Sequence, residues 1–158
     1  MGIKMDIETG IITIDEKYQI KPSMSLEEIR NSNLSELMSE ESKQKLINDP
    51  DYPMFVKSIV DEDEISIELD IIEERLAAIY IKVNPAEMAE CYYTDDDINF
   101  NHIVERTSMF MDELFGECEN NRYRFKWGFA TFNSGARTYS SYIEILYYPP
   151  EFMNNVRI

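Results

Sequence analysis

Apolar and polar residues alternate from the start of the chain. Ile3, Met5 and Ile7, then Ile12 and Ile14, are apolar, with Glu8-Thr9-Gly10 as a turn between the two groups. Asp15-Glu16-Lys17 makes a second turn before Tyr18-Gln19-Ile20. A period of two marks half-buried strands and polar clusters mark turns, so this opening predicts a short meander. Pro22 stops the pattern, and Ser25-Leu26-Glu27-Glu28 has the form of a capping box. The Ser25 hydroxyl can accept from the Glu28 backbone while the Glu28 side chain reaches back to Ser25. A short helix with Leu26 and Ile29 inward follows, ending near 31–33. Residues 34–48 carry a poorer helical pattern, with Leu34, Leu37 or Met38, and Leu46-Ile47 as apolar positions around a wholly polar stretch at 39–44. Pro50 and Pro53 mark a loop, because each restricts the residue before it.

The middle of the chain fits two periods. From Glu64, Ile65, Ile67, Leu69 and Ile71 alternate with Ser66, Glu68 and Asp70, yet Ile65, Leu69, Ile72, Leu76 and Ile79 also recur at helical steps. Periodicity alone does not separate these templates. The density of isoleucine favours a strand, with 76–83 as its hairpin partner, although the turn at 72–75 has neither Gly nor Asn. Residues 95–117 are the best helix in the chain. Ile103, Thr107, Phe110 and Leu114 form one stripe flanked by Val104, Met111 and Phe115. Asp95–Asp97 supply its cap and favourable charge at its N-terminus, and Gly116 marks its end. In the last third, Tyr123, Phe125, Trp127 and Phe129 alternate with Arg122, Arg124, Lys126 and Gly128, predicting one strand over 122–132. The Asn133–Arg137 loop leads to a return strand with Tyr139, Ser141, Ile143, Ile145 and Tyr147 on one face. The pattern predicts a single α+β domain over residues 1–158: a mainly antiparallel β-sheet packed against one principal helix at about 95–117, with one or two short N-terminal helices.

Charge changes this picture. Thirty-one acids against fifteen bases leave a formal charge of −16. Such a field opposes contact with nucleic acid or an anionic membrane and attracts basic proteins; it also keeps a protein soluble. The acids are concentrated in DEDEISIELDIIEE, residues 61–74, which hold eight carboxylates and no base. If the 122–132 strand lay beside the 64–71 strand, Arg124 and Lys126 could stand opposite Glu68 or Glu64, but Asp61–Glu64 alone outnumber those bases. No secretory leader or membrane-spanning run is evident, and Asp6 stands where a myristoylation motif wants Ser or Thr. Cys91 and Cys118 have no CxxC spacing, so two reduced thiols in a cytoplasmic protein are expected, without a zinc site.

Catalytic signatures are missing from this inventory. Asp95, Asp97 and Asn99 resemble part of a calcium loop, but Phe100 and Arg106 occupy the positions that need Gly and Glu. His102 is the single histidine, and no nucleophile motif accompanies it. Carboxylate pairs abound, yet nothing distinguishes one pair, and no phosphate-cradling loop exists. The expectation is a protein that is not an enzyme, with no catalytic residues, cofactor or metal.

Two segments carry a family resemblance. ITIDEKYQIKPSMSLEEIRNS, residues 12–32, and WGFATFNSGARTYSSYIEILYYP, residues 127–149, resemble the opening and the closing hairpin of small bacterial immunity proteins from polymorphic-toxin and contact-dependent inhibition systems. The resemblance implies binding to a toxin domain and obstruction of its active site or substrate path. A nuclease toxin presents a basic cleft, which an acidic inhibitor can occupy in place of phosphate. On that basis the expected binding residues are Asp61, Glu62, Asp63, Glu64, Glu68 and Asp70, with Asp95, Asp96 and Asp97 as a second patch and Tyr92 and Tyr93 as anchors. The alternatives are a small-ligand or adaptor module using the aromatic strand face, and an enzyme.

Overall fold

The computed structural model describes residues 2–86, 96–117, 122–135 and 140–149, with backbone alone at 96–98. The fold is α+β, with two antiparallel sheets and few helices. Strands β1 (Ile3–Met5), β2 (Ile12–Ile14) and β3 (Tyr18–Ile20) form the expected meander. Its first turn is organised by Asp6, whose carboxylate accepts from the Glu8 and Thr9 N–H groups at 2.9 and 3.3 Å. Helix α1 (Leu26–Asn31) starts at the capping box, with the Ser25 hydroxyl accepting from the Glu28 N–H at 3.1 Å and the Ser25 N–H donating to the Glu28 carboxylate at 3.4 Å.

Residues 34–48 differ from a continuous helix. A 3-10 helix spans Asn33–Leu37, and helix α2 (Glu40–Asn48) starts afresh at Ser39, whose hydroxyl accepts from the Ser42 N–H. The polar stretch is thus a helix start, where hydroxyl and carboxylate side chains satisfy free N–H groups. Leu34, Met38 and Leu46 are buried, whereas Ile47 is 63% exposed.

The main sheet contains β4 (Met54–Val60), β5 (Asp63–Ile72), β6 (Arg75–Asn84), β7 (Arg122–Arg124), β8 (Gly128–Gly135) and β9 (Ser140–Tyr147). Its order is β4-β5-β6-β9-β8-β7, antiparallel throughout. The strand period therefore wins at 63–84, and the β5–β6 turn forms without Gly or Asn. Glu73 and Glu74 take φ values of 52° and 62°, and Asp61 and Glu62 in the β4–β5 turn take 48° and 75°. These are left-handed conformations that two-residue hairpin loops demand, and non-glycine residues adopt them at a cost of about 1–2 kcal/mol each.

The segment 122–132 is two strands. The Phe125 N–H donates to the Gly128 carbonyl at 2.8 Å, the chain bends at Lys126 and Trp127, and Tyr123 then faces Ala130 across the β7–β8 pair. The aromatic alternation in the sequence continues through the bend and so does not reveal it, but the pairing places Phe129 beside Arg124, on the face opposite Tyr123. β7 lies four strand spacings from β5, about 19 Å at ordinary sheet dimensions. Arg124 and Lys126 therefore do not face Glu64 or Glu68, contrary to the expected cross-strand compensation.

One face of the main sheet is sealed. Val56, Ile65, Ile67, Leu69, Ile79, Ile81, Ile143 and Ile145 form a continuous core with the N-terminal layer and with Phe110, Met111 and Leu114 of helix α3 (Asp96–Phe115). Gly116 follows α3 at φ 84°, the C-terminal cap anticipated there. Trp127 ties the two sheets together. It is 1% exposed, donates from Nε1 to the Ile7 carbonyl at 2.9 Å, and leaves no space for a side chain at Gly10, which has φ 79°. The rings of Phe115, Tyr123, Phe125, Trp127 and Tyr147 succeed one another at 4.8–6.4 Å. Tyr123, Phe125 and Trp127 are thereby engaged in packing, whereas Phe129 stands on the other face of the sheet.

Candidate functional site

The acidic stretch is divided by the pleat. Asp61 and Glu62 occupy the tip of the β4–β5 hairpin. Asp63 shares the parity of Ile65 and Ile67, so its side chain turns inward and is 8% exposed. There Oδ2 accepts from Arg106 Nε at 2.8 Å and Nη2 at 2.5 Å, and Oδ1 accepts from the Ala86 N–H at 3.2 Å. The hydrogen bond to Asp63 raises the Arg106 pKa above its ordinary value. This fork-like pair fixes the hairpin to α3. His102 lines a cleft of about 190 Å³ beside it, with Asp61, Glu62, Asp63, Ala86 and Arg106.

Glu64, Glu68 and Asp70 have the opposite parity and stand on the other face of the main sheet. No described element packs over that face. The register places Glu68 beside Tyr80 on β6, Tyr80 beside Glu144 on β9, and then Thr131 on β8 and Arg122 on β7. In the next row Asp70 is followed by Ala78, Leu146, Phe129 and Arg124. The Tyr80 and Tyr142 rings meet edge to face, 6.0 Å between centroids and at 73°. Burial raises the Tyr80 phenol pKa above its ordinary value, and the charges of Asp70, Glu144 and Glu68 add to the rise. Among the described residues, no salt bridge reaches Glu68, Asp70 or Glu144. Glu64 stands apart, 3.7 Å from Lys57.

The sequence reading brought Glu64, Glu68 and Asp70 together and missed Tyr80, Tyr142 and Glu144. Of the second expected patch, Asp96 and Asp97 begin α3, with side chains outside the description. Asp95, Tyr92 and Tyr93 lie outside the described residues, as do Cys91 and Cys118. Among the described residues, no group of three or more His, Cys, Asp or Glu is placed to hold a metal ion. No described helix is long and apolar enough to cross a membrane.

No protein-family model matches the chain, and no curated protein matches it. Among solved structures, the fold is similar to a chain in "Rhs1-CT in complex with cognate immunity protein RhsI1", with a TM-score of 0.50 and 8% identity. The match covers 97% of this chain and 94% of the other. Identity this low establishes likeness of fold.

Proposed function

We propose that this protein is a non-enzymatic binding protein that neutralises a partner protein, acting as an immunity protein for a basic, nuclease-like toxin domain in the cytoplasm. The carrying observation is the main-sheet face over which no described element packs, where Glu68, Asp70 and Glu144 surround paired tyrosines without a salt bridge among the described residues. Fold likeness to a chain from a toxin–immunity complex, across nearly the whole length, supports the same reading. The formal charge of −16 favours a basic protein over nucleic acid.

Glu64, Glu68 and Asp70 form the central contact in this proposal, extended by Asp61 and Glu62 at the hairpin tip. Asp95, Asp96 and Asp97, with Tyr92 and Tyr93, are further proposed contacts. Asp63 is assigned to holding the hairpin, because Arg106 already engages its carboxylate. The test is growth rescue: the product of the adjacent upstream gene, or its C-terminal domain, is expressed with and without this protein. Toxicity alone and growth on co-expression are expected. Toxicity that persists on co-expression, or a harmless product, would remove the assignment. Association should also slow as ionic strength rises, since charge steering is screened over about 10 Å at 0.1 M salt.

A further inference from the structure

The neutralising reading leaves open what chemistry is selected by the main-sheet face over which no described element packs, and the register narrows it. Glu68, Tyr80 and Glu144 are lateral neighbours on three adjacent strands, so a carboxylate flanks Tyr80 on either side. Asp70 stands two residues from Glu68 along β5, on the same face. Tyr142 meets Tyr80 edge to face and occupies the adjoining row on β9. These side chains are half-buried, and the patch combines aromatic rings with anions. Lys82, two residues from Tyr80 along β6, bounds it on one side, and Lys57 beyond is occupied with Glu64. On the other side Arg122 and Arg124 belong to the β7 edge, two strands from β9.

Resting on the neutralising reading, we propose that the Tyr80–Tyr142 pair, framed by Glu68, Asp70 and Glu144, is the seat for an arginine or lysine side chain projecting from the basic protein partner. A cation over an aromatic face is drawn to the ring, and carboxylates at the rim accept its N–H groups. An apolar side chain would leave the carboxylates unpaired, and an acidic one would be repelled. The arrangement thus discriminates by charge as well as by shape. The basic β7 edge and Lys82 flank this seat, so the partner's cation is directed to the β5–β6–β9 centre. A residue so placed is a candidate hot spot, whose loss weakens binding by about thirtyfold or more.

The probe that tests the seat without the partner is N-acetyl-arginine amide, with N-acetyl-citrulline amide as an uncharged counterpart of nearly the same shape. Ring resonances of Tyr80 and Tyr142, assigned through Tyr80→Phe and Tyr142→Phe, are followed by NMR on the intact chain. The arginine probe should shift both rings and the citrulline probe should leave them in place. Glu68→Gln combined with Glu144→Gln should abolish the arginine shifts while preserving the remaining spectrum. Absent shifts, or equal shifts with both probes, would overturn the seat. If growth rescue succeeds alongside that result, the neutralising function stands and the cation seat alone is lost. A failed rescue removes the function itself.

Discussion

On β5, Ile65, Ile67 and Leu69 point into the interior while Glu64, Glu68 and Asp70 point away from it, one residue out of phase on the same strand. The inward face is closed by α3, the N-terminal layer and the aromatic series around Trp127. The outward face has no described element over it, and among the described residues no salt bridge reaches its Glu68, Asp70 and Glu144, while Glu64 pairs with Lys57. Fold stability is concentrated on the first face, where burial contributes about 25 cal/mol per Å² of apolar surface. The second contributes little to folding, so its residues can be chosen for contact with a partner. The two faces should therefore respond oppositely to substitution, and the ranking of responses tests the division.

Trp127→Ala should have the largest effect. It removes a buried indole and the bond to the Ile7 carbonyl, and should destabilise the protein by about 3–5 kcal/mol in urea unfolding. Gly128→Ala should follow, at about 3 kcal/mol. A Cβ there would overlap the Leu146 carbonyl, and only backbone displacement relieves that. Asp63→Ala should cost roughly 1–3 kcal/mol, because it leaves the Ala86 N–H and the Arg106 guanidinium without their acceptor. That result would separate Asp63 from its acidic neighbours in sequence. Glu68→Gln with Glu144→Gln should change stability by less than about 0.5 kcal/mol.

Alkaline titration adds a pH contrast. Burial raises the pKa of the Tyr147 phenol well above its ordinary range, so the folded state retains a proton that the unfolded chain releases near pH 10. Stability from this group is complete below about pH 10 and declines as pH rises towards the folded value. Tyr147→Phe should flatten that decline, measured as the urea midpoint against pH. Tyr80, on the outward face and less buried, should contribute a smaller decline of the same sign.

Several of these elements were legible in the chain. Isoleucine density decided for a strand at β5 where periodicity did not, alternation identified the half of β9 that faces inward, the capping box located α1, and Gly116 located the end of α3. Asp63 falls among the expected binding residues although it shares the parity of Ile65 and Ile67, because its partner Arg106, 43 residues away, was not visible in the sequence. Tyr80 and Glu144 sit inside apolar runs, LAAIYIKV and YIEILYY, with no local sign of a site. The β5–β6 pairing brings Tyr80 beside Glu68, and only the placement of β9 against β6 adds Glu144. The bend at Lys126-Trp127 was hidden for a different reason: the aromatic alternation continues through it in sequence, whereas the two-residue loop switches the facing parity and puts Phe129 on the side opposite Tyr123. The strained turns at Asp61-Glu62 and Glu73-Glu74 lacked the glycine that would have announced them.

The most direct measurement pairs the urea midpoint with growth rescue for the variant Glu68→Lys, Asp70→Lys and Glu144→Lys. The division of labour between the faces predicts a midpoint close to that of the parent chain and loss of rescue. Full rescue by the folded triple variant would contradict it and would place the partner contact elsewhere on the molecule.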